Sequence, residues 1–228
     1  MPHASVLIIG AGGLGSVAAM ALAETGIARL TLADPDVVEV SNLHRQPLYL
    51  EEDVGQPKVT VAARRLQEIR PGIEIGIVQQ KLDRFDELVC LAQDHDCFID
   101  ASDNFATRFL ANDVALRSGR PLVHGAATGL RGQVMTILPH RTACLRCLFE
   151  APPIRNLPTC REGGIFGPLV MEVGWLAAME VVKFLENSPD LLTDRMLTID
   201  LTRHIRRHVP LPRQSRCPGC RSNPINTH

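Results

Sequence analysis

Six residues, Gly10-Ala11-Gly12-Gly13-Leu14-Gly15, constrain this chain more than any other stretch. They follow Val6-Leu7-Ile8-Ile9, a short and wholly apolar run of the kind that makes a buried parallel strand. G-x-G-x-x-G between a strand and a helix has a physical basis. Gly10 permits the tight turn, Gly12 lets a phosphate reach the backbone, and Gly15 lets the helix pack closely, with free N–H groups at the helix start facing an anion. The pattern predicts a helix over Ser16–Glu24 stopped by Gly26, then a second strand over Ala28–Ala33. Asp34 follows at the strand end, where an acidic residue binds a ribose hydroxyl. The same features fit any nicotinamide- or flavin-binding Rossmann domain.

The residues after Asp34 break that tie. Asn42 and Arg45 lie in the polar stretch from Pro35 to Gln46, where a dinucleotide presents no terminal triphosphate but ATP does. Gly55-Gln56-Pro57-Lys58 then opens a helix running to about Arg70. Lys58 in its first turn opposes the helix dipole, so nearby phosphates explain it better than helix stability does. A solvated surface lysine is the alternative.

Further on, a strand is expected over Glu74–Val78, a helix over Phe85–Gln93 and a buried strand over Cys97–Ile99. The last runs into Asp100-Ala101-Ser102-Asp103-Asn104, and carboxylates at this end of a parallel strand sit at the ligand crevice of doubly wound folds. Asp103 can hold Mg2+ against phosphate oxygens. Alternatively Ser102, Asp103 or Asn104 caps a helix over Phe105–Arg117. Leu122-Val123 leads to Gly125-Ala126-Ala127, and Gly132–Leu138 reads as an antiparallel strand at the edge of the parallel set. Val170–Glu186 is the longest helical pattern, with Trp175, Met179, Val182 and Leu185 as a core-facing stripe. Arg195–Val209 suggests two strands or a hairpin, whose Arg203, His204, Arg206, Arg207 and His208 form a solvated face or a dock for an acidic partner.

Composition enters through charge and cysteine. With 228 residues, 45% hydrophobic, the chain can bury a large core, and a net charge of -1 gives no general reason to expect nucleic acid. Met1-Pro2-His3 lacks the features of a signal peptide and no apolar run suffices to span a bilayer, so a soluble, cytoplasmic protein without membrane contact is expected. In a reducing compartment its seven cysteines suggest metal before disulfides. Cys144-Leu145-Arg146-Cys147 and Cys217-Pro218-Gly219-Cys220 are two C-x-x-C knuckles that together suit a four-thiolate structural Zn2+ site pinning the C-terminal tail to the loop after Leu138. Cys90 and Cys97, in apolar surroundings, read as core. Cys160 stands before Arg161 on the proline- and glycine-rich crossover from Pro152 to Gly164, as a nucleophile or an incidental thiol.

These residues resemble the HesA/MoeB/ThiF adenylyltransferases over nearly the whole chain. The matching signatures are G-A-G-G-L-G at 10 to 15, D-P-D at 34 to 36, S-N-L-H-R-Q at 41 to 46, Q-P-K at 56 to 58, D-A-S-D-N at 100 to 104, both C-x-x-C pairs and T-C-R-E-G-G at 159 to 164. The resemblance implies a Rossmann-like, doubly wound α/β fold with a mostly parallel sheet, an antiparallel C-terminal extension and a zinc knuckle. It implies one domain over 1–228, with a nucleotide-binding core at 1–140 and the crossover, long helix, last strands and zinc-bound tail at 141–228.

It further implies a nucleotide cradle of Gly10, Gly12, Gly13 and Gly15, with Asp34 on the ribose beside Asp36. Asn42, Arg45 and Lys58 meet the phosphates, Asp103 holds Mg2+ next to Asn104, and Cys160 accepts the activated carboxyl terminus or handles sulfur. The implied reaction uses ATP to activate the C-terminal glycine carboxylate of a ubiquitin-like sulfur carrier, like ThiS or MoaD, as an acyl-adenylate. The sulfur, from a donor such as a cysteine desulfurase or rhodanese, then serves thiamine or molybdopterin synthesis, the Gly163–Val170 region being closer to ThiF. Adenylation of another peptide or small-molecule carboxylate, or a non-catalytic scaffold, are the alternatives. A homodimer is implied. Family members carry a longer N-terminal arm with an R-Y-x-R-Q-like segment whose arginine reaches the partner's ATP phosphates; here Met1 lies five residues before Val6, so that contribution is expected to be missing.

Overall fold

The computed structural model describes residues 1, 3–149, 151 and 164–220. Five strands are parallel: β1 (Ser5–Ile9), β2 (Arg29–Ala33), β3 (Glu74–Val78), β4 (Cys97–Asp100) and β5 (Leu122–Thr128). Three more, β6 (Arg131–Ile137), β7 (Arg195–Asp200) and β8 (Ile205–Pro210), continue the sheet antiparallel. The order is β3-β2-β1-β4-β5-β6-β7-β8. Strand order reverses between β1 and β4, which opens a crevice at their carboxyl ends.

The alternation of β1 divides the core in two. Val6 and Ile8 face α1 (Gly13–Glu24), α2 (Lys58–Ile69) and α6 (Gly167–Leu185), whereas Leu7 and Ile9 face α3 (Phe85–Gln93) and α4 (Phe105–Ser118). Both faces of the central strands are therefore dry, which explains their unbroken apolar runs. Leu22 of α1 is fully buried, and its truncation to Ala would cost about 2–5 kcal/mol. A four-residue helix, α5 (Leu145–Leu148), sits on the α4 side.

α1 begins at Gly13, before the expected Ser16, because the last glycines of the loop already form its first turn. Gly15 lies so close to the turn that an added Cβ would stand 1.8 Å from Gly10 O. Gly10 itself has φ +95°, in the left-handed region. α4 is capped by Asn104, whose side chain accepts from the Thr107 amide at 2.9 Å, and ends at Gly119 with φ 72°. Two 3-10 turns, Val40–Arg45 and Glu51–Asp53, carry no periodicity that the sequence could betray.

Two expectations are corrected. The stripe on α6 is core only in part: Val182 is buried, Met179 and Leu185 are half-buried and pack against the core, and Trp175 is 52% exposed. α6 packs inward through Val170, Val173, Ala177 and Val181, and it is apolar on a second side that hydrophobic periodicity alone cannot tell from the first. Cys97 is buried as expected, but Cys90 is exposed on the outer side of α3. Among the described residues no helix is long and apolar enough to cross a membrane.

Candidate functional site

A cavity of about 340 Å³ opens at the carboxyl ends of β1, β2 and β4. Its lining contains Gly10, Gly12, Gly13, Asp34, Asp36, Asn42, Arg45, Lys58, Asp103 and Asn104. Of the residues expected to hold nucleotide, Gly15 alone is absent from that lining, since it packs beneath the turn.

The glycine loop is fixed from both sides. Asp34 Oδ2 accepts the Ala11 amide at 2.7 Å and Asp34 Oδ1 accepts the Asp36 amide at 2.8 Å. Tyr49 donates its hydroxyl to Ala11 O at 2.7 Å. These bonds leave the amides of Gly12 and Gly13 without an acceptor among the described residues, at the N-terminus of α1, where an anion is favoured. Burial pushes the Asp34 carboxyl above its ordinary value of 3.8, against the charge of Lys58 and the two amides. The group keeps lone pairs for hydroxyl donors.

Lys58 is 4% exposed, so it is not a solvated surface lysine. Its Nζ lies 3.0 Å from Asp36 Oδ2 and 4.0 Å from Asp34 Oδ1, at the edge of the cavity. The 3-10 turn over Val40–Arg45 brings Asn42 and Arg45 into the lining. There Asn42 Nδ2 donates to Glu39 at 3.0 Å, and Asn42 Oδ1 accepts from the Arg45 guanidinium. Arg45 also donates to Ser41 O at 3.2 Å. Lys58 and Arg45 give the cavity two cations from separate elements, and Leu82, Ala127, Ile165 and Val170 give it apolar walls.

The turn after β4 resolves the choice between cap and ligand. Asn104 is the cap of α4, Ser102 bonds to Asp100, and Asp103 is left exposed on the cavity with no hydrogen bond or ion pair among the described residues. A free carboxylate at the cavity edge is the kind of oxygen ligand that a hydrated Mg2+ takes. Asp100, in contrast, is fully buried and faces His124. Burial opposes its charge, but the hydrogen bond and charge of His124, with Arg108 and Ser102, hold it below the ordinary carboxylate range.

Away from the cavity, Cys144, Cys147, Cys217 and Cys220 come together, all buried, with sulfur atoms within 4.8 Å of one another. Cys144–Cys217 is 3.7 Å and Cys147–Cys220 3.6 Å. A disulfide needs about 2.05 Å, whereas sulfurs ~2.3 Å from a tetrahedral Zn2+ stand ~3.8 Å apart. The donor set and its spacing fit zinc. α4 backs this cluster with the same helix that opens at the cavity: Asn112 accepts the Leu145 amide at 2.8 Å and Asp113 pairs with Arg146 at 2.7 Å. Cys160 lies outside the described residues, as does most of its crossover. The arginines and histidines of 203–208 lie on the β7–β8 turn and the exposed edge strand, with Arg206 paired to Glu172 at 2.8 Å.

Sequence reasoning missed several residues here. Gln46 lines the cavity, is 3% exposed and has an Oε1 with no partner among the described residues. Its place directly after Arg45 in a polar stretch was the available signal. His124 sits in the apolar run Leu122–Ala127, and a lone histidine in a buried strand needs a partner. Tyr49 and Arg108 gave no signal, since their roles depend on where their elements pack.

Solved structures of E. coli MccB share the fold: one with ATP superposes at a TM-score of 0.85 with 23% identity, covering 96% of this chain and 67% of that one. Among curated proteins, the sulfur carrier protein adenylyltransferase of Thermus thermophilus is 41% identical over 98% of this chain and 84% of its own length. The SAMP-activating enzyme E1 of Haloferax volcanii is 39% identical over 94% of this chain and 79% of its own. This chain spans about half, 52%, of the adenylyltransferase and sulfurtransferase MOCS3 of Culex quinquefasciatus, at 37% identity. The sequence matches the ThiF family over residues 1–220, and with these relatives the chain belongs to the ThiF family.

Proposed function

We propose that this protein is an ATP-dependent adenylyltransferase that activates the C-terminal glycine carboxylate of a ubiquitin-like sulfur carrier protein. The observation that carries the reading is the cavity itself. Unpaired amides at Gly12 and Gly13, cations at Lys58 and Arg45, a carboxylate at Asp34 for ribose hydroxyls and a free one at Asp103 suit a nucleoside triphosphate better than a dinucleotide. Relatives named for sulfur-carrier adenylation and SAMP activation support the substrate class.

In this reaction a carboxylate oxygen attacks the α-phosphorus, a C–O–P bond forms and the bond to pyrophosphate breaks. The nucleophile is already ionised, so no general base is needed. What the protein must supply is alignment and neutralisation of charge on the departing pyrophosphate. Lys58 and Arg45 do this directly, while Asn42 orients the Arg45 guanidinium. Mg2+, held by Asp103, would supply Lewis-acid neutralisation of the phosphate oxygens. Zn2+ at Cys144, Cys147, Cys217 and Cys220 would be structural. The acyl-adenylate then passes to sulfur chemistry, with Cys160 as its candidate acceptor and a cysteine desulfurase or rhodanese as donor class. The location proposed is the cytoplasm.

The proposed assembly is a homodimer, supported by the open side of α6. Trp175 and Met179 border an apolar groove with Val17, Met20, Pro47 and Met171, a surface of the kind that subunits cover. The decisive experiment is ATP–pyrophosphate exchange with carriers of the ThiS and MoaD type ending in Gly-Gly. Carrier-dependent exchange is expected. Its absence with every such carrier, from protein that binds ATP, would sink the reading.

A further inference from the structure

Asp100, His124 and Gln133 form a polar chain inside the sheet, and the adenylation reading gives it no task. Asp100 stands opposite His124 in the β4–β5 register, on the face toward α4. Both are buried, at 0% and 1% exposure, beside apolar neighbours such as Phe98, Leu122 and Met135. Such a pair is costly in a strand core unless every polar atom is used, and these are used. His124 Nδ1 donates to Asp100 Oδ2 at 2.8 Å, and Gln133 Nε2 lies 3.2 Å from His124 Nε2.

The other end of the chain reaches the turn that ends in Asp103. Asp100 Oδ1 accepts the Ser102 hydroxyl at 2.6 Å and the Ser102 amide at 3.1 Å. Ser102 O in turn accepts from Arg108 Nε and Nη2 at 3.4 and 3.3 Å. Ser102 is thus held by its hydroxyl, its amide and its carbonyl. Asp103, the next residue, is held by none of these and takes its direction from Ser102 and from the Asn104 cap. Asp100 has no free edge toward the cavity, so it orients the turn without itself serving as a ligand.

We propose that His124, acting through Asp100 and Ser102, is a positioning residue that sets the carboxylate of Asp103 for Mg2+-bound ATP. The inference rests on the assignment of Mg2+ to Asp103 made above. A ligand on a short turn must be held to within about 0.5 Å by the groups behind it, and removal of such outer partners typically weakens metal binding about 10–100-fold.

The test measures ATP affinity by titration calorimetry across a Mg2+ series, without carrier so that no turnover occurs. In His124→Leu the Mg2+ concentration giving half of the affinity gain should rise about tenfold, with metal-free ATP binding unchanged. His124→Asn, whose Nδ2 can occupy the place of Nδ1, should restore most of the response. Ser102→Ala, at a half-buried position that tolerates the change, should shift it in the same direction, and it decides the matter alone if His124→Leu does not fold. Wild-type Mg2+ response in Ser102→Ala and in any folded His124→Leu overturns the proposal. So does a loss in His124→Leu that is equal with and without Mg2+, since that is general damage. Asp103→Asn separates the two readings. If it retains the Mg2+ response, the metal assignment fails; if it loses the response while the His124 and Ser102 variants keep it, only the positioning role fails.

Discussion

Replacing Lys58 by Met tests the reading of the cavity most directly, because its effect can be sized from the structure. In the free protein Lys58 Nζ pairs with Asp36 at 3.0 Å, but the Asp36 side chain is 63% exposed, so that pair is worth at most about 1 kcal/mol. A charge-assisted bond to a phosphate oxygen is worth about 1.5–3 kcal/mol. The difference, about 0.5–2 kcal/mol, predicts that Lys58→Met weakens ATP about 2–30-fold. The methionine stem fills the same buried space, so the fold should survive. Adenosine is the control: it carries the base and ribose but no phosphate, and its affinity should change little at neutral pH. Titration calorimetry with both ligands on both proteins gives four numbers. Equal losses for ATP and adenosine would refute the reasoning, since they would mean that Lys58 shapes the pocket without meeting phosphate.

Other outcomes follow from the same geometry. Gly15→Ala puts a methyl 1.8 Å from Gly10 O and should abolish soluble folding, whereas at Gly12 the added Cβ meets Gln46 Nε2 at an ordinary 3.6 Å. Gly12→Ala should therefore keep its thermal midpoint and still lose ATP, a result checked by melting and calorimetry together. Zinc analysis of protein prepared without chelator should find one Zn2+ per chain; a strong chelator, or Cys217→Ser, should lower the melting temperature while leaving ATP affinity within about twofold. The Asp34 carboxyl is raised above 3.8, so the folded protein takes up this proton more readily than the unfolded chain. The group therefore weakens folding at neutral pH, and that penalty disappears as pH falls through its folded value. Adenosine, which does not titrate with phosphate, should lose affinity through the same raised midpoint, and Lys58→Met should move the midpoint further up.

Much of the fold was legible because its signals are local. The apolar run before Gly10, the glycine spacing and the two cysteine knuckles each report on neighbours in sequence, and the structure assembles them as expected. Even Asp103 could be proposed from its place at a strand end. The assignment of the cap to Asn104 could not, because Ser102, Asp103 and Asn104 all suit a helix start and only the engagement of Ser102 by Asp100 decides among them. His124 and Asp100 are 24 residues apart in sequence, so no periodicity joins them. The exposure of Trp175 was not legible for a related reason. Helical spacing shows that a face is apolar, but whether protein or solvent lies against it is a property of the packing.

The cavity divides its polar groups into those that are spent and those that are open. Asp100 and Tyr49, buried behind the lining, use their oxygens on donors and acceptors that fix the turn after β4 and the glycine loop, while Asp34 in the lining fixes that loop through two amides and keeps lone pairs open. The Gly12 and Gly13 amides, the Asp103 carboxylate and Gln46 Oε1 have no partner among the described residues. A buried unpaired acceptor such as Gln46 Oε1 costs about 1–3 kcal/mol, and it can be tolerated where a ligand donor relieves it. Phosphates offer no such donor at neutral pH, but ribose hydroxyls, an adenine amino group and a peptide amide do. Gln46→Leu removes the unpaired acceptor at similar volume. It should raise the melting temperature of the free protein while weakening a donor-bearing ligand, and a stabilised variant that binds ATP and carrier normally would show that the unpaired atom has no ligand to meet.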